Sequence, residues 1–481
     1  MRKTIYSLFI NSCHWMRALT GVARALFFIQ YHNGVTKMKQ KSGSFLKYFG
    51  VALFLAVLIS GCAGNQKPEQ EGENGNAGQV TEAPGKNNQD TIKIGVLLPM
   101  SGAQSKAGAE VRAAMTMFAD IINESRSDID IPLAESEGLP NLGGKKVELV
   151  FGDLKTVDTA LSEAERLITS EGAVGIVGLF SSANTKTAAV ATEKYGVPLI
   201  SEGTSPTLTQ KGYEYFFRLF PDDTIYVEDT YQYLMELNET QNANIKTVAF
   251  VSEDTEFGKN IANVQKECAE KYGFEIVENI TYSSNATNLI SESLKLKKSN
   301  PDVVMMSSYI SDVILYIKTF KQLNYMPKMI MGQRGGFMQS ELFTALGEDA
   351  EGLCSTSAWA LDLQIPLVGQ IGDLYREEYS NGVDLIPDVL KCGTDLYILC
   401  LAINQAGSTD ADAMKEAMYN LDYPMDKLFI AGTGFEFNEA GQNMASTSLI
   451  CQIKDGKYQT VYPSEARAYE GLYPLPPWDE R

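Results

Sequence analysis

The stretch "GIVGLFSSANTKTA", residues 175–188, decides the fold class. An apolar run with strand character, residues 173–180, ends here in a cluster of hydroxyl and amide side chains, and an alanine-rich helical pattern follows at once. A strand that turns directly into a helix leaves the first backbone N–H groups of that helix without partners. The hydroxyls of Ser181 and Ser182 at this point therefore either cap the helix or help it to hold an anion.

The same strand-to-helix pattern continues outward along the chain. The run Ala107–Asn123 has apolar residues at helical spacing, and strand-like runs lie before and after it. Strands that alternate with helices of this length form parallel sheets with helices on both faces. Because this rhythm occurs twice, before and after about Pro221, the sequence predicts an α/β fold with two doubly wound parallel-sheet lobes and a ligand cleft beyond the carboxyl ends of the strands. The predicted strands are residues 92–99, 147–151, 174–179, 198–201, 247–252, 275–280, 302–307, 328–332 and 352–358.

Length and charge limit the classes of function. The 481 residues are too many for one compact core, and a content of 44% hydrophobic and 21% charged residues is ordinary for a globular protein. The formal charge is −19, and since residues 1–61 hold eight Lys or Arg and no acidic residue, residues 62–481 carry −27. Phosphate backbones and anionic membrane surfaces repel a body this acidic. We therefore expect no nucleic-acid binding, and a covalent or spanning device for any membrane attachment.

The N-terminal region has the features of a lipoprotein leader. From Met38 the sequence reads "MKQKSGSFLKYFGVALFLAVLISGC", with a basic start, an apolar run shorter than the roughly 20 residues of a membrane span, and small residues before Cys62. Residues 59–62 resemble a bacterial lipobox, in which the cysteine is lipidated and becomes the mature N-terminus. The alternative is an uncleaved anchor with an incidental cysteine. We expect a signal peptide within residues 1–61 with Met38 as the true start, and a protein anchored by Cys62 to the extracytoplasmic face of a bacterial membrane.

Histidine and cysteine usage excludes several kinds of chemistry. Both histidines, His14 and His32, precede Met38, so the mature protein would have none. This removes Ser–His and Cys–His nucleophile pairs and His-ligated metal sites, and we expect no cofactor. The cysteines after Cys62 are scattered with no C-x-x-C pair, which favours buried thiols over a zinc cluster or a disulfide framework. They are Cys268, Cys354, Cys392, Cys400 and Cys451.

Polar, small-residue loops follow four of the predicted strands in the first half of the chain. They read "PMSGAQSKAG" (99–108), "FGDLKT" (151–156), "LFSSANT" (179–185) and "ISEGTSPT" (200–207). For any one loop, helix capping is the simpler interpretation. Together at adjacent strand ends, their hydroxyls and free N–H groups favour one small anion, a carboxylate. No glycine-rich phosphate loop is present, which disfavours a nucleotide.

Several of these segments resemble a known protein family. The segments "IKIGVLLPMSG", "AVGIVGLFSSANT", "YGVPLISEGTSPTLTQKGYEYFFRLFPDD" and "VAFVSEDTEFGKN" are similar, in order, to the branched-chain amino-acid binding proteins of ABC transporters, the leucine/isoleucine/valine type of type I periplasmic binding proteins. The resemblance covers about residues 91–481. It implies two α/β lobes joined by three crossovers, here expected near Pro221, Gly352 and Met444, that close around a small ligand.

The implied domain organisation follows from these crossovers. Lobe 1 would comprise residues 91–221 and about 353–444. Lobe 2 would comprise residues 222–352 and about 445–481. The segment 62–90 has almost no large apolar side chains and is expected to be a flexible tether.

The resemblance also implies roles for individual residues. The family serine that holds the ligand carboxylate matches Ser182, beside Ser181, and the threonine that holds both carboxylate and ammonium matches Thr204, beside Gly203. An aspartate at the first crossover matches Asp223. The anion interpretation of the Ser181 and Ser182 turn is thereby favoured.

The resemblance further implies an aromatic wall, and it has departures. The family tyrosines of the second lobe match Phe257 and Tyr309. The family glutamate that pairs with the ligand ammonium aligns with Arg334, and an arginine beside an ammonium in a dry cleft would cost several kcal/mol. Arg334 therefore points away, or the ligand has an extra anionic group, or it lacks an ammonium, or the loop is misaligned and Arg334 lies on the surface. Ala107 replaces a family aromatic and leaves more room.

Three functions remain after these observations. The first is a monomeric solute-binding lipoprotein that captures an amino acid or related small carboxylate and delivers it to an ABC permease in the membrane, with no chemistry on the ligand. The second is a sensor module of the same fold with a separate signalling partner. The third is an extracellular hydrolase, which the incomplete nucleophile elbow at residues 203–207 and the paired acids Glu253 and Asp254 support weakly. We therefore expect a binding protein and not an enzyme.

Overall fold

The computed structural model describes residues 91–102, 104–380 and 385–481. These residues belong to one compact unit, Gly85–Arg481. The predictions for the leader, the start at Met38, the lipidation of Cys62 and the tether concern residues 1–90 and lie outside the described residues. In the part that is described, no helix is both long and apolar enough to cross a membrane.

The first lobe is built on a five-stranded sheet. Its strands have the order β2-β1-β3-β4-β5, and every neighbouring pair is parallel. The central strands are almost wholly buried because helices cover both faces, which explains their continuous apolar sequences. The strands are β1 (Thr91–Leu98), β2 (Lys146–Asp153), β3 (Gly175–Gly178), β4 (Leu199–Ser201) and β5 (Phe216–Phe217).

The second lobe is built on a seven-stranded sheet. Its order is β12-β11-β10-β9-β8-β6-β7, in which the pairs from β7 to β10 are parallel and β11 and β12 are antiparallel. The nine strands predicted from the sequence are all present, and β5, β11 and β12 are additions. The strands are β6 (Thr247–Glu253), β7 (Glu275–Tyr282), β8 (Val303–Ser307), β9 (Ile330–Gly332), β10 (Cys354–Ser357), β11 (Leu449–Lys454) and β12 (Lys457–Tyr462).

Helices cover both sheets, so the predicted doubly wound architecture is confirmed. The longest helix, α10, packs on α1 against the first sheet, and nearly all of its residues from Pro387 to Ile403 are buried. The helices are α1 (Ser105–Asn123), α2 (Val157–Thr169), α3 (Ser182–Tyr195), α4 (Asp223–Thr240), α5 (Glu256–Tyr272), α6 (Ile290–Ser299), α7 (Ile310–Gln322), α8 (Glu341–Leu346), α9 (Pro366–Leu374), α10 (Pro387–Ala406) and α11 (Ala411–Tyr419).

In the described residues the chain passes between the lobes at three places. The first crossover follows β5, where α4 leads the chain into the second lobe. The last crossover precedes β11, where the chain returns to the second sheet. The remaining passage differs from the expectation near Gly352, because Cys354–Ser357 forms β10 in the second sheet. The chain therefore leaves the second lobe after Ser357, a few residues later than expected.

The buried side chain of Arg218 connects the segments that precede the first and the last of these crossovers between the lobes. The Arg218 side chain is 1% exposed, and its Nε donates to Gln442 Oε1 at 2.6 Å. Its Nη1 donates to the carbonyls of Gly203 and Ser205 at 2.9 and 2.8 Å. Arg218 thus joins the loop after β4 to the segment that precedes β11. Its sequence signal is a single arginine inside the apolar run "FFRLF".

The cysteine side chains of the described residues are buried, as their scattered positions in the sequence predict. All five cysteines after Cys62 are buried and unpaired, which leaves the described body without a disulfide. Within residues 91–102, 104–380 and 385–481, no group of three or more His, Cys, Asp or Glu side chains could hold a metal ion.

Candidate ligand-binding site

A cavity lies between the two lobes, at the carboxyl ends of strands from both sheets. It encloses about 620 Å³ of space outside protein atoms, a volume that includes the open solvent at its mouth. One part of the lining is apolar and aromatic, and the rest carries hydroxyl or charged side chains. The lining residues are Ala107, Glu110, Val111, Phe180, Ser181, Ser182, Glu202, Thr204, Phe257, Tyr309, Arg334, Gly335, Met338, Gln339, Asp388, Val389 and Cys392.

The two serines at the start of α3 have different contacts. Ser181 is the N-cap of the helix, and its hydroxyl accepts a hydrogen bond from the Asn184 N–H at 3.2 Å. Ser182 is buried at the cavity wall, and its hydroxyl oxygen accepts from the Ser205 N–H at 3.2 Å. The helix N-terminus thus faces the cavity, with the Ser181 hydroxyl used as a cap and the Ser182 hydroxyl hydrogen-bonded to the loop after β4. This arrangement is suited to an anion.

The loop after β4 brings Thr204 to the first passage between the lobes. The Thr204 carbonyl accepts a hydrogen bond from the Asp223 N–H at 2.9 Å. Gly203 lies behind the cavity wall, where a Cβ would come within 2.6 Å of Thr185 Oγ1, so the close approach of the loop to α3 requires glycine. Burial raises the pKa of Asp223 to about 7, an effect that outweighs its hydrogen bond with Thr204.

Aromatic side chains from both lobes form one wall. Phe257 stacks on Tyr309 with ring centroids 5.5 Å apart, and Phe180 of the first lobe approaches Tyr309 with a centroid distance of 6.2 Å. The next residue, Gly258, allows the chain to bring Phe257 to this position. A Cβ at Gly258 would come within 2.1 Å of the Glu253 carbonyl oxygen. The wall is therefore continuous across the cleft.

Arg334 lies inside the cleft and is paired. It belongs to the second lobe, follows β9, and has a left-handed backbone with φ +57°, a strained conformation for a residue with a side chain. Its Nη2 lies 3.2 Å from Asp388 Oδ2 and 3.6 Å from Glu202 Oε2, and both carboxylates belong to the first lobe. The guanidinium also lies 5.0 Å from the ring centroid of Tyr226. Of the possibilities that the sequence left open, an outward-pointing or surface Arg334 is therefore wrong.

A second buried cation, Lys391, contacts Glu202. Lys391 Nζ contacts Glu202 Oε2, and both side chains are almost completely buried. Burial lowers the pKa of Lys391 to about 8 and raises that of the neighbouring Asp395 to about 7. Burial also raises the pKa of Asp388, although Arg334 opposes that shift. Glu202 thus lies between two buried cations, one from each lobe.

Six of the eight ligand residues suggested by the sequence line the cavity: Ser181, Ser182, Thr204, Phe257, Tyr309 and Arg334. Gly203 and Asp223 lie next to Thr204 rather than in the lining. Sequence reasoning missed Glu110, Glu202 and Asp388. Glu202 lies in the quoted loop "ISEGTSPT", directly after the predicted strand 198–201. An acidic residue at this strand end was the sequence signal that could have identified it. Asp388 comes from α10, whose approach to the cleft has no local signature.

The geometry, two α/β lobes around a small polar cavity, agrees with the comparisons with known proteins. A family model described as "Periplasmic binding protein" matches residues 91–457. The chain belongs to this family. As a periplasmic binding protein it is a solute-binding protein and not an enzyme, as the sequence predicted.

Relatives and solved structures similar to this chain are also binding proteins. The chain is 28% identical over 400 residues to "Leu/Ile/Val-binding protein homolog 7" of Brucella abortus (strain 2308), covering 79% of this chain and 93% of that protein. The leucine-binding protein LivK of Thermotoga maritima has a TM-score of 0.64 at 21% identity, over 77% of this chain and 97% of LivK. LivJ of Streptococcus pneumoniae, solved in complex with isoleucine, has a TM-score of 0.65 at 21% identity, over 78% and 100%. At these identities the structures support the fold.

Proposed function

We propose that this periplasmic binding protein captures an amino acid or related small carboxylate between its lobes and delivers it to an ABC permease as a lipid-anchored, monomeric lipoprotein. The ligand carboxylate would lie at the N-terminus of α3, bound by Ser182 and Thr204. The observation that carries this proposal is the helix N-terminus that faces the cavity with buried hydroxyls of two neighbouring strand ends beside it. The amino-acid-binding relatives and the predicted lipobox at Cys62 support the ligand class and the anchor.

Contacts between the lobes support capture by hinge closure. Lys186 of the first lobe lies 3.2 Å from Glu256 of the second, and Asn260 Nδ2 donates to Ser205 Oγ at 2.8 Å. These contacts join the rims of the cleft and bring the aromatic wall over the cavity. A ligand that binds the first lobe would stabilise this closed form, and the closed form is the one we propose that the permease recognises.

A thermal-shift screen tests this function. The purified protein is unfolded and refolded to remove any bound ligand, and then mixed with the twenty L-amino acids, dicarboxylates, keto acids and aromatic carboxylates at about 1 mM. A micromolar ligand at this concentration adds about 4 kcal/mol to the free energy of unfolding. We expect at least one carboxylate to raise the melting temperature, and Ser182→Ala to reduce that rise. A protein that no carboxylate stabilises contradicts the proposal.

Reconstitution tests the delivery step and the anchor separately. Mass spectrometry of the protein from its native membrane should show a lipid-modified N-terminal cysteine, and Cys62→Ala should release the protein from the membrane. Uptake of the ligand found in the screen should fall in cells that lack the protein. Unchanged uptake would leave binding without transport and would favour a sensor.

A further inference from the structure

The cavity lining contains an acidic side chain on α1, Glu110, that the proposed carboxylate site does not use. We propose, on the basis of the proposed binding function, that Glu110 determines specificity at the part of the ligand remote from its carboxylate. It selects a ligand that carries a neutral hydrogen-bond donor there, a hydroxyl or an amide. A ligand of the same shape with an apolar group at this position binds more weakly.

Glu110 belongs to a different part of the lining from the proposed carboxylate site. It lines the cavity together with Ala107 and Val111, which lie three residues before it and one after it on the same face of α1. This helix follows β1, whereas Ser182 and Thr204 follow β3 and β4, which are the next strands across the sheet. A ligand whose carboxylate lies at Ser182 and Thr204 therefore extends toward α1 with its other end.

Contacts with the second lobe hold Glu110 in the lining. The Ser340 hydroxyl, in the segment between β9 and α8, donates a hydrogen bond to Glu110 Oε1. The neighbouring Gln339, which also lines the cavity, donates from Nε2 to Gln104 Oε1 at 3.2 Å. Closure of the lobes over this end of the cavity thus brings polar groups together, and an apolar ligand end would face a carboxyl group and an amide.

Burial makes the contact between Glu110 and the ligand matter. Glu110 is 8% exposed, and burial raises its pKa, although the Ser340 hydroxyl and the charge of Lys106 oppose that shift. A ligand methyl group that covers the carboxyl would remove its remaining contact with water and supply no hydrogen bond in exchange. A hydroxyl or amide supplies that bond. Since Lys106 already provides a positive charge near Glu110, the ligand needs a donor here and not a second cation.

Isothermal titration with ligand pairs of matched shape tests the proposal. The pairs are L-asparagine with L-leucine, L-threonine with L-valine and, without an amine, 4-hydroxybutanoate with pentanoate. We expect the donor member of the best-binding pair to bind about tenfold to hundredfold more tightly, as a hydrogen bond to a charged group does.

Variants separate specificity from a structural role. Glu110→Leu should reduce the affinity ratio of the best-binding pair to about one or below. A role of Glu110 only in closing the lobes would weaken both members alike and leave their ratio unchanged. The matched control is Glu124→Gln, at an exposed acidic residue directly after α1, and it should keep the ratio of the unmodified protein.

The outcomes distinguish this inference from the proposed function. If the apolar members bind as tightly as their partners, or if the preference for the donor persists in Glu110→Leu, the role of Glu110 is wrong while carboxylate binding stands. Tighter binding of L-lysine than of L-asparagine would contradict a neutral donor. If no carboxylate binds, both proposals are wrong. Melting curves identify a variant that does not fold, and an apolar preference of the unmodified protein contradicts the proposal without any variant.

Discussion

The two ends of the interlobe cavity are built in different ways. The hydroxyl end is local: Ser181, Ser182 and Thr204 follow two neighbouring parallel strands of one sheet. The charged end is assembled from distant segments, with Glu202 after β4, Arg334 after β9 and Asp388 on α10. The first end belongs to one lobe, whereas the second joins both lobes. On the proposed function a ligand carboxylate would bind before closure, whereas the contacts of Arg334 with Glu202 and Asp388 form only when the cleft is closed.

The largest expected effect comes from removing the carboxylate at the centre of the charged end. Glu202→Ala leaves Lys391 and Arg334 without their shared partner in a buried site, which should lower the free energy of unfolding by about 3–5 kcal/mol. Urea unfolding measures this change. The exposed pair of Glu214 and Lys415 is the control, and Glu214→Ala should cost about 0–1 kcal/mol. Equal costs for the two variants would show that the charged cluster does not stabilise the closed protein.

The hydroxyl end should affect ligand binding more than stability. Ser182→Ala removes a hydroxyl that we propose donates to the ligand carboxylate, and hydrogen bonds to charged groups contribute about 1.5–3 kcal/mol. We expect affinity for the ligand found in the screen to fall about tenfold to hundredfold in a titration. An unchanged affinity would place the carboxylate elsewhere, and Thr204→Val provides the same test on the neighbouring loop.

Binding should depend on pH through Asp223, a buried carboxyl that lies beside Thr204 and outside the cavity lining. Burial raises its pKa to about 7, so below that pH it must lose a proton before its charge can favour the ammonium of an amino acid. Affinity for an amino acid should therefore rise about tenfold between pH 6 and pH 8. Asp223→Asn should flatten the profile to the part contributed by Asp395, whose pKa is also about 7. A profile that falls with rising pH would contradict this effect of Asp223.

Much of the fold could be predicted because its signals are local. Each predicted strand is an apolar run bounded by turn residues, and parallel strands under helices are buried on both faces. Strands β11 and β12 were missed because they are antiparallel, follow a long segment of the other lobe, and have polar residues among the apolar ones. The crossover near Gly352 was an expectation from the family resemblance, whereas the strand predicted from the sequence over residues 352–358 is present as β10 and keeps the chain in the second sheet as far as Ser357.

The site, like the fold, was predictable where its signals are local and not where its contacts join distant segments. Ser182 and Thr204 could be located because a strand end and the following helix place them. The environment of Arg334 could not be predicted, since its partners Glu202 and Asp388 lie more than fifty residues away in sequence. From the sequence, Arg334 could be compared only with the charge of a ligand ammonium, and two positive charges in a dry cleft repel each other. The structure adds the protein carboxylates that neutralise it.

The smallest expected effect separates the two serines of the hydroxyl end. Ser181 caps α3 through the Asn184 N–H, so Ser181→Ala should lower the free energy of unfolding by about 1 kcal/mol. Its affinity for ligand should change much less than that of Ser182→Ala. Thermal melts and titrations of both variants check this difference, and equal losses of affinity would mean that both hydroxyls bind the ligand.

A crystal structure of the protein with its tightest-binding amino acid tests the two-ended cavity most directly. We expect the ligand carboxylate within hydrogen-bonding distance of Ser182 and Thr204, with Arg334 still paired to Glu202 and Asp388. A ligand carboxylate bound to the Arg334 guanidinium, with Glu202 and Asp388 displaced, would contradict this expectation.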